Sequence, residues 1–213
     1  TNRYVLWINA QSGRDNECTA CPMGSQAKCF VAGTSTTPHG PFVYAGVVSD
    51  IRFQDEGGVG DFSLFQDDDV NKTAYVIYKR SGAAPKGFGH RMTLQQLEPN
   101  LLRGVNKSEA SAGIFGAPFV EAPAMFKRKG IYYSFFGQCC AFCAHGTGIG
   151  VYTAPHPLGP WATHTNIGCD EQSLKLDCGC GLPLPPVYNL STFSHTLSLS
   201  LYHSLPGFVF TLS

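Results

Sequence analysis

One pattern occurs twice in this sequence, 60 residues apart, and it limits the fold more than any other feature. A glycine-bearing approach leads to an acidic residue, a short strand, a phenylalanine, a charged turn and a tyrosine-bearing strand. The first copy reads Gly57-Gly-Val-Gly60, Asp61-Phe-Ser-Leu-Phe65, Asp67-Asp-Asp69 and Thr73-Ala-Tyr-Val-Ile-Tyr-Lys79. The second reads Gly113-Ile-Phe-Gly116, Glu121-Ala-Pro-Ala-Met-Phe126, Lys127-Arg-Lys-Gly130 and Ile131-Tyr-Tyr-Ser-Phe-Phe-Gly137. Tyr4 to Asn9 aligns with the tyrosine-bearing strands, and the turn Gly40-Pro-Phe42 recurs as Gly159-Pro-Trp161, 119 residues on, about two periods. Repetition of one supersecondary unit at a fixed period marks a repeat architecture.

Composition sets the element type. Gly (24), Pro (14) and 12% aromatics, with few patterns of helical period, predict short strands joined by turns. The class is therefore all-β, and each unit supplies three or four strands in a row. Radial repetition of such small sheets is a β-propeller; kelch and WD motifs are absent and the period is longer than theirs. Charged residues are 14% of the chain, against roughly 25% in an average soluble protein. Lys+Arg and Asp+Glu are 15 each, so no basic field exists to hold nucleic acid or an anionic membrane. The final 27 residues are uncharged, yet their hydroxyls and Pro206 argue against a membrane span.

Nine cysteines fall in three triplets: Cys18, Cys21, Cys29; Cys139, Cys140, Cys143; and Cys169, Cys178, Cys180. Such density points to an oxidising compartment, and the acceptor triplets at Asn71, Asn106 and Asn189 agree with secretion. Disulfides are favoured over zinc, because Cys18-x-x-Cys21 and Cys140-x-x-Cys143 lie much further apart than the pairs of a zinc ribbon. An odd total leaves at least one thiol over. Thr1 leads almost directly into a strand, which reads as a processed or truncated end.

Phe119 to Gly137 reads as two strands joined by a basic turn closing on Gly130. Pro123 cannot donate to a ladder, so the first of these strands is expected at a sheet edge. Glu121 stands there among apolar and small neighbours (Phe119, Val120, Ala122, Ala124), and is the candidate acid. Burial of a carboxyl among apolar groups keeps its proton available near working pH. The repeat puts Asp61 at the equivalent place of the adjacent unit, where inner strands converge on the axis. The plain alternative is two solvated acids at strand starts.

The blocks Gly60-Asp-Phe-Ser-Leu-Phe65 with Thr73 to Tyr78, Glu121-Ala-Pro to Tyr133, and Tyr152-Thr-Ala-Pro-His-Pro-Leu-Gly-Pro-Trp161 resemble glycosyl hydrolase family 43. Within it the chain is most similar to the exo-acting β-1,3-galactanase branch, whose acid strand also reads Glu-Ala-Pro. The resemblance covers about residues 1–165 and implies a five-bladed propeller that hydrolyses glycosidic bonds with inversion. It implies Glu121 as general acid and Asp61 as the partner that sets its proton affinity and orients it. About three blades are countable, so the chain is expected to be truncated, weakly active or inactive, and poorly soluble because raw sheet edges promote aggregation.

Residues 166–186 form a Cys/Pro-rich segment, and 187–213 an irregular Ser/Thr/Leu tail expected to be foreign to the fold. The expected partner is a plant or algal polysaccharide, with no nucleic acid, no membrane, no cofactor, no metal, and a monomeric, secreted protein. Alternatives are an α-L-arabinofuranosidase or β-xylosidase of the same fold, or a non-catalytic carbohydrate-binding or vestigial propeller fragment. Gln138, at a strand end near Glu121, is a candidate for substrate contact; Gln172 is given no role. Asp67, Asp68 and Asp69 read as a solvated turn rather than a calcium loop. Trp7, Tyr132, Tyr133, Phe135, Phe136 and Trp161 read mostly as core between blades, and His39, His90, His145 and His156 as surface residues.

Overall fold

The computed structural model describes residues 3–11, 28–53, 59–81, 90–116, 120–138, 148–167 and 209–212. Eleven strands are present among them: β1 (Tyr4–Gln11), β2 (Lys28–Ser35), β3 (Val43–Val47), β4 (Val59–Gln66), β5 (Ala74–Ser81), β6 (His90–Gln96), β7 (Val120–Arg128), β8 (Ile131–Gln138), β9 (Ile149–Ala154), β10 (Ala162–Ile167) and β11 (Val209–Leu212). One 3-10 turn, Ser108–Ala110, is the sole helical element among the described residues. The strands form three sheets, ordered β11-β1-β2-β3, β4-β5-β6 and β7-β8-β9-β10. This is the partial propeller expected from the repeat. β1, β5 and β8 occupy the same place in their respective sheets, as their alignment in the sequence predicts.

β5 shows why the sheets stack face to face. Its residues Ala74 to Tyr78 are all buried, as a central strand covered on both faces requires. Alternate side chains enter different cores. Ala74, Val76 and Tyr78 join Val5, Trp7, Phe30 and Phe62 between the first and second sheets. Tyr75 and Ile77 join Leu94 and Ala112, with Met125 and Trp161 packed against them, on the side of the third sheet. Among the described residues the middle sheet has three strands, and the chain after β6 returns along its edge through the bridges Leu97↔Gly104, Gln95↔Ser111 and Met92↔Phe115.

The basic turn is a two-residue hairpin connection. Arg128 pairs with Ile131, and Lys129 and Gly130 take φ of 50° and 77°, the left-handed pair that matches strand twist. The two turns Gly40-Pro41 and Gly159-Pro160 share a cis peptide and a positive-φ glycine, so the repeat extends to backbone conformation.

The tail departs from expectation in four residues. Val209–Leu212 runs parallel to β1, with Val5 opposite Val209 and Ile8 opposite Leu212. A short run without charge or proline satisfies the open backbone edge of β1, an edge that otherwise has to find water or another chain. It thereby stands where β4 and β7 stand in the other sheets, but with the opposite strand direction.

Candidate active site

The two expected acids lie on neighbouring strands that form the inner edges of the second and third sheets, β4 and β7, which pack against each other. Each sits at a break in the ladder. In β4 the register shifts between Val59 and Phe62, so Gly60 and Asp61 bulge opposite Lys79. In β7 it shifts between Glu121 and Ala124, which leaves Ala122 and Pro123 outside the regular pairing. A bulge bends the strand and re-aims the side chains beside it. It also accommodates Pro123, whose missing N–H costs no ladder bond there. As expected, β7 is an edge strand, paired among the described residues with β8 alone.

The bulges bring the acids to one place. Asp61 Oδ2 accepts the backbone N–H of Ala122 at 3.1 Å, across the gap between the sheets. Ala122 holds φ of 50°, a left-handed conformation unusual for a residue with a Cβ, so this bond fixes the backbone immediately after Glu121. Gln138, whose backbone pairs with Val120, lies at the same end of β8 as Gly137, the partner of Glu121.

The surroundings of Glu121 differ from the apolar ones expected. Its side chain is 31% exposed, and Oε1 accepts a hydrogen bond from Lys79 Nζ at 2.9 Å, while the Lys79 side chain is only 8% exposed. The reason is the alternation along β5. Tyr75 and Ile77 face the third sheet, and Lys79, next in the same series, delivers an ammonium to the mouth end of that face. The sequence shows Lys79 as the cation closing an otherwise apolar strand; its period-two relation to Tyr75 and Ile77 was the signal that could have found it. On the opposite face of the strand end, the Arg80 guanidinium lies 4.5 Å from the Phe53 ring centroid and that of Arg52 lies 5.0 Å from it.

At the far end of β4 the acidic turn is only partly the solvated loop expected. Asp68 is exposed, but Asp67 is 4% exposed. It accepts from Tyr132 Oη at 2.6 Å and from Lys127 Nζ at 2.8 Å, both on the third sheet. Lys127 also pairs with Asp68. Hydrogen bonds to Asp67 and Asp68 push the Lys127 ammonium well above the usual lysine range. Burial, followed by the bond to Asp67, raises the Tyr132 phenol.

Of the aromatics, Trp7, Tyr132 and Phe136 are core, and Trp161 is half-buried and stacks on Phe115 at 5.2 Å. Tyr133 and Phe135 are half-buried on the other face of β8, each stacked on Phe126. His39 and His156 are exposed. Cys29 is buried on β2; the other eight cysteines, Asn189 and Gln172 lie outside the described residues, and with them the expected disulfide pairing and the zinc alternative at those positions.

A carboxyl group at the inner edge of one sheet, oriented by a carboxylate of the next, is the equipment of proton transfer to a bound oxygen. The family model "Glycosyl hydrolases family 43" matches residues 2–175. The chain belongs to this family. Among solved structures it is similar to the exo-β-1,3-galactanase of Phanerochaete chrysosporium, at 24% identity and a TM-score of 0.55 over 76% of this chain and 32% of that one. A family-43 β-1,3-galactosidase gives 21% identity and a TM-score of 0.51 over 68% and 27% of the two chains. A family-43 protein from a capybara gut metagenome gives 14% and 0.52 over 75% and 28%. The chain thus spans about a third of the length of these structures. None of the curated proteins matches it.

Proposed function

We propose that the chain acts in hydrolysis of β-1,3-linked galactose from plant or algal polysaccharide, by an inverting acid/base mechanism, as a secreted monomer. The observation that carries this reading is the convergence of Asp61 and Glu121 at bulges of adjacent inner strands, with the Asp61 carboxylate on the amide beside Glu121. Glu121 donates the proton to the leaving oxygen and Asp61 holds it in place. Galactose and β-1,3-galactotriose are bound by the Phanerochaete enzyme, which supports the choice of sugar. Inversion requires a second group about 6.5–9.5 Å from the acid, on the other side of the ring, to activate water. No residue of the described inner strands is assigned to that task, and turnover is expected to be slow.

The test is prolonged incubation of the chain with β-1,3-galactan oligosaccharides and a panel of aryl galactosides, arabinofuranosides and xylosides. Release of galactose as the α-anomer, followed by NMR, with a loss of about 10²–10⁴-fold in Glu121→Gln, fits the reading. Release of arabinose or xylose instead assigns the other specificity of the fold. A non-catalytic carbohydrate-binding role is favoured by one feature: β11, which stands in the inner place of the first sheet, carries no carboxylate. Oligosaccharide binding by calorimetry without turnover of any glycoside would establish that role.

A further inference from the structure

Lys79 is the one cation whose ammonium reaches Glu121 among the described residues, and it does so from a nearly closed position. Its stem lies across Gly60: a Cβ built there would collide with Lys79 Cε and stand 3.3 Å from Nζ. Gly60 therefore leaves the channel through which the lysine crosses from β5, over the β4 bulge, to the third sheet. The next residue is Asp61, which grips the backbone of Ala122. The bulge of β4 thus contributes two holds on one group, the path of a cation to the Glu121 side chain and an acceptor for the amide that follows it.

We propose that Lys79 is a positioning residue for Glu121, and that Gly60 is the gap that makes this possible. The inference rests on the reading of Glu121 as general acid. Lys79 occupies Oε1, so Oε2 is the oxygen that carries the proton. As the anomeric C–O bond breaks, its electron pair stays on the leaving oxygen and Glu121 gives that oxygen its proton. A water oxygen bonds to the anomeric carbon and releases one proton to bulk solvent, from which Glu121 is reprotonated, so the count closes. Glu121 is left as a carboxylate whose Oε1 lies 2.9 Å from Lys79 Nζ. Holding Oε1 fixes the plane of the carboxyl group and so the direction in which Oε2 meets the leaving oxygen.

A merely structural ion pair predicts something different, and the leaving group tells the two apart. A 2,4-dinitrophenolate departs without protonation, whereas the sugar alkoxide of β-1,3-galactobiose does not. Lys79→Met and Gly60→Ala are each compared with wild type on the 2,4-dinitrophenyl β-galactoside and on galactobiose. The expected result is a loss of at least about 10-fold in kcat on galactobiose, a part of the full general-acid contribution. Activity on the dinitrophenyl substrate stays within about 3-fold and KM changes little, as for an interaction realised only in the transition state. Glu121→Gln shows the same selectivity with a larger loss.

Gly60→Ala adds one methyl and no charge, so it serves where Lys79→Met does not fold, as judged by its melting transition. Equal losses on both substrates, or none on galactobiose, overturn the role of Lys79 and leave the function standing. A wild-type chain that hydrolyses neither substrate overturns the function and this role together.

Discussion

Tyr132 donates its hydroxyl proton to Asp67 across the seam between the second and third sheets, with 2.6 Å between the oxygens. Lys127 binds the other oxygen of the same carboxylate at 2.8 Å. The seam is therefore pinned at both ends with opposite polarity. At the mouth the second sheet gives the cation, Lys79, and the third the anion, Glu121; at the far end the second gives the anion, Asp67, and the third the cation, Lys127. A register slip between the sheets would separate both pairs, and docking one sheet end for end would bring like charges together at both ends, a specific penalty against misassembly.

Removing Asp67 is expected to cost more than removing either partner. Asp67→Ala leaves the buried Tyr132 hydroxyl without its acceptor and Lys127 with Asp68 alone, a loss of about 1–3 kcal/mol for the unsatisfied group. Tyr132→Phe deletes one hydrogen bond and should cost about 1 kcal/mol. Urea unfolding followed by tryptophan fluorescence measures both. Equal, small effects would mean that the seam is held by its apolar contacts alone.

Stability should fall at both ends of the pH scale, for different reasons. Asp50 is held below the usual carboxylate range by hydrogen bonds from Arg103, Asp68 by Lys127, and Asp69 by the Thr73 hydroxyl. A depressed folded value stabilises above the ordinary value, 3.8, and that contribution is lost as pH falls through the folded values. Burial, and then Asp67, pushes the Tyr75 phenol from 10.0 to about 12. A raised folded value stabilises below 10.0 and that contribution is lost as pH rises toward about 12. Melting temperatures taken from pH 2 to 12 should show a plateau between these two windows. Tyr75→Phe should remove part of the alkaline decline and leave the acid one.

The interface of the first two sheets depends on Trp7. It is fully buried, its Nε1 donates to Leu101 O at 2.8 Å, and its ring lies 5.4 Å from Phe30 and 5.9 Å from Phe62. Trp7→Ala is expected to cost about 3–5 kcal/mol. Trp7→Phe keeps most of the contact but leaves a carbonyl unpaired, at a cost of about 1–3 kcal/mol. Thermal unfolding of the two variants gives the order, and a Trp7→Phe variant as unstable as Trp7→Ala would show the hydrogen bond to dominate.

How much of this was legible beforehand follows the physics of each feature. Period and strand positions were readable because side-chain alternation and turn residues are local: Tyr4, Thr73 and Ile131 mark the three equivalent strands to within a residue. The edge position of β7 was readable because Pro123 has no N–H. The partners of the charges were not readable. Asp67 in a run of three aspartates looks solvated until a sheet 60 residues later brings Lys127 and Tyr132 to it. Lys79 looks like the polar end of a strand until Glu121 arrives beside it. The parallel pairing of Val209 to Leu212 is a long-range event with no local mark, since the residues between β10 and that strand carry no signal of it.

The proposal that the chain is secreted has its own consequence. Asn71 and Asn106 are exposed, the placement an attached glycan requires. Made in a eukaryotic secretory pathway, the chain should gain mass that amidase treatment removes, and Asn106→Gln should abolish one step of it. An unmodified mass from that pathway would count against passage through it.

Asp61 permits the sharpest separation of charge from geometry. Its Oδ2 accepts the Ala122 amide at 3.1 Å while Ala122 sits at φ of 50°, a conformation that costs roughly 1–2 kcal/mol for a residue with a Cβ and needs outside support. Asp61→Asn keeps an acceptor oxygen at the same reach and loses the charge. Asp61→Ala loses both, frees the amide, and lets the backbone after Glu121 relax toward the β region. If Asp61 acts by holding that backbone, Asp61→Asn should retain galactobiose hydrolysis within about 10-fold while Asp61→Ala falls by about 100-fold, the loss that a small misplacement of a reacting group brings. Ala122→Gly should worsen rather than repair Asp61→Ala, because glycine removes the cost of the left-handed conformation but not the freedom that displaces Glu121. Equal losses in Asp61→Asn and Asp61→Ala would instead assign the whole effect to the negative charge.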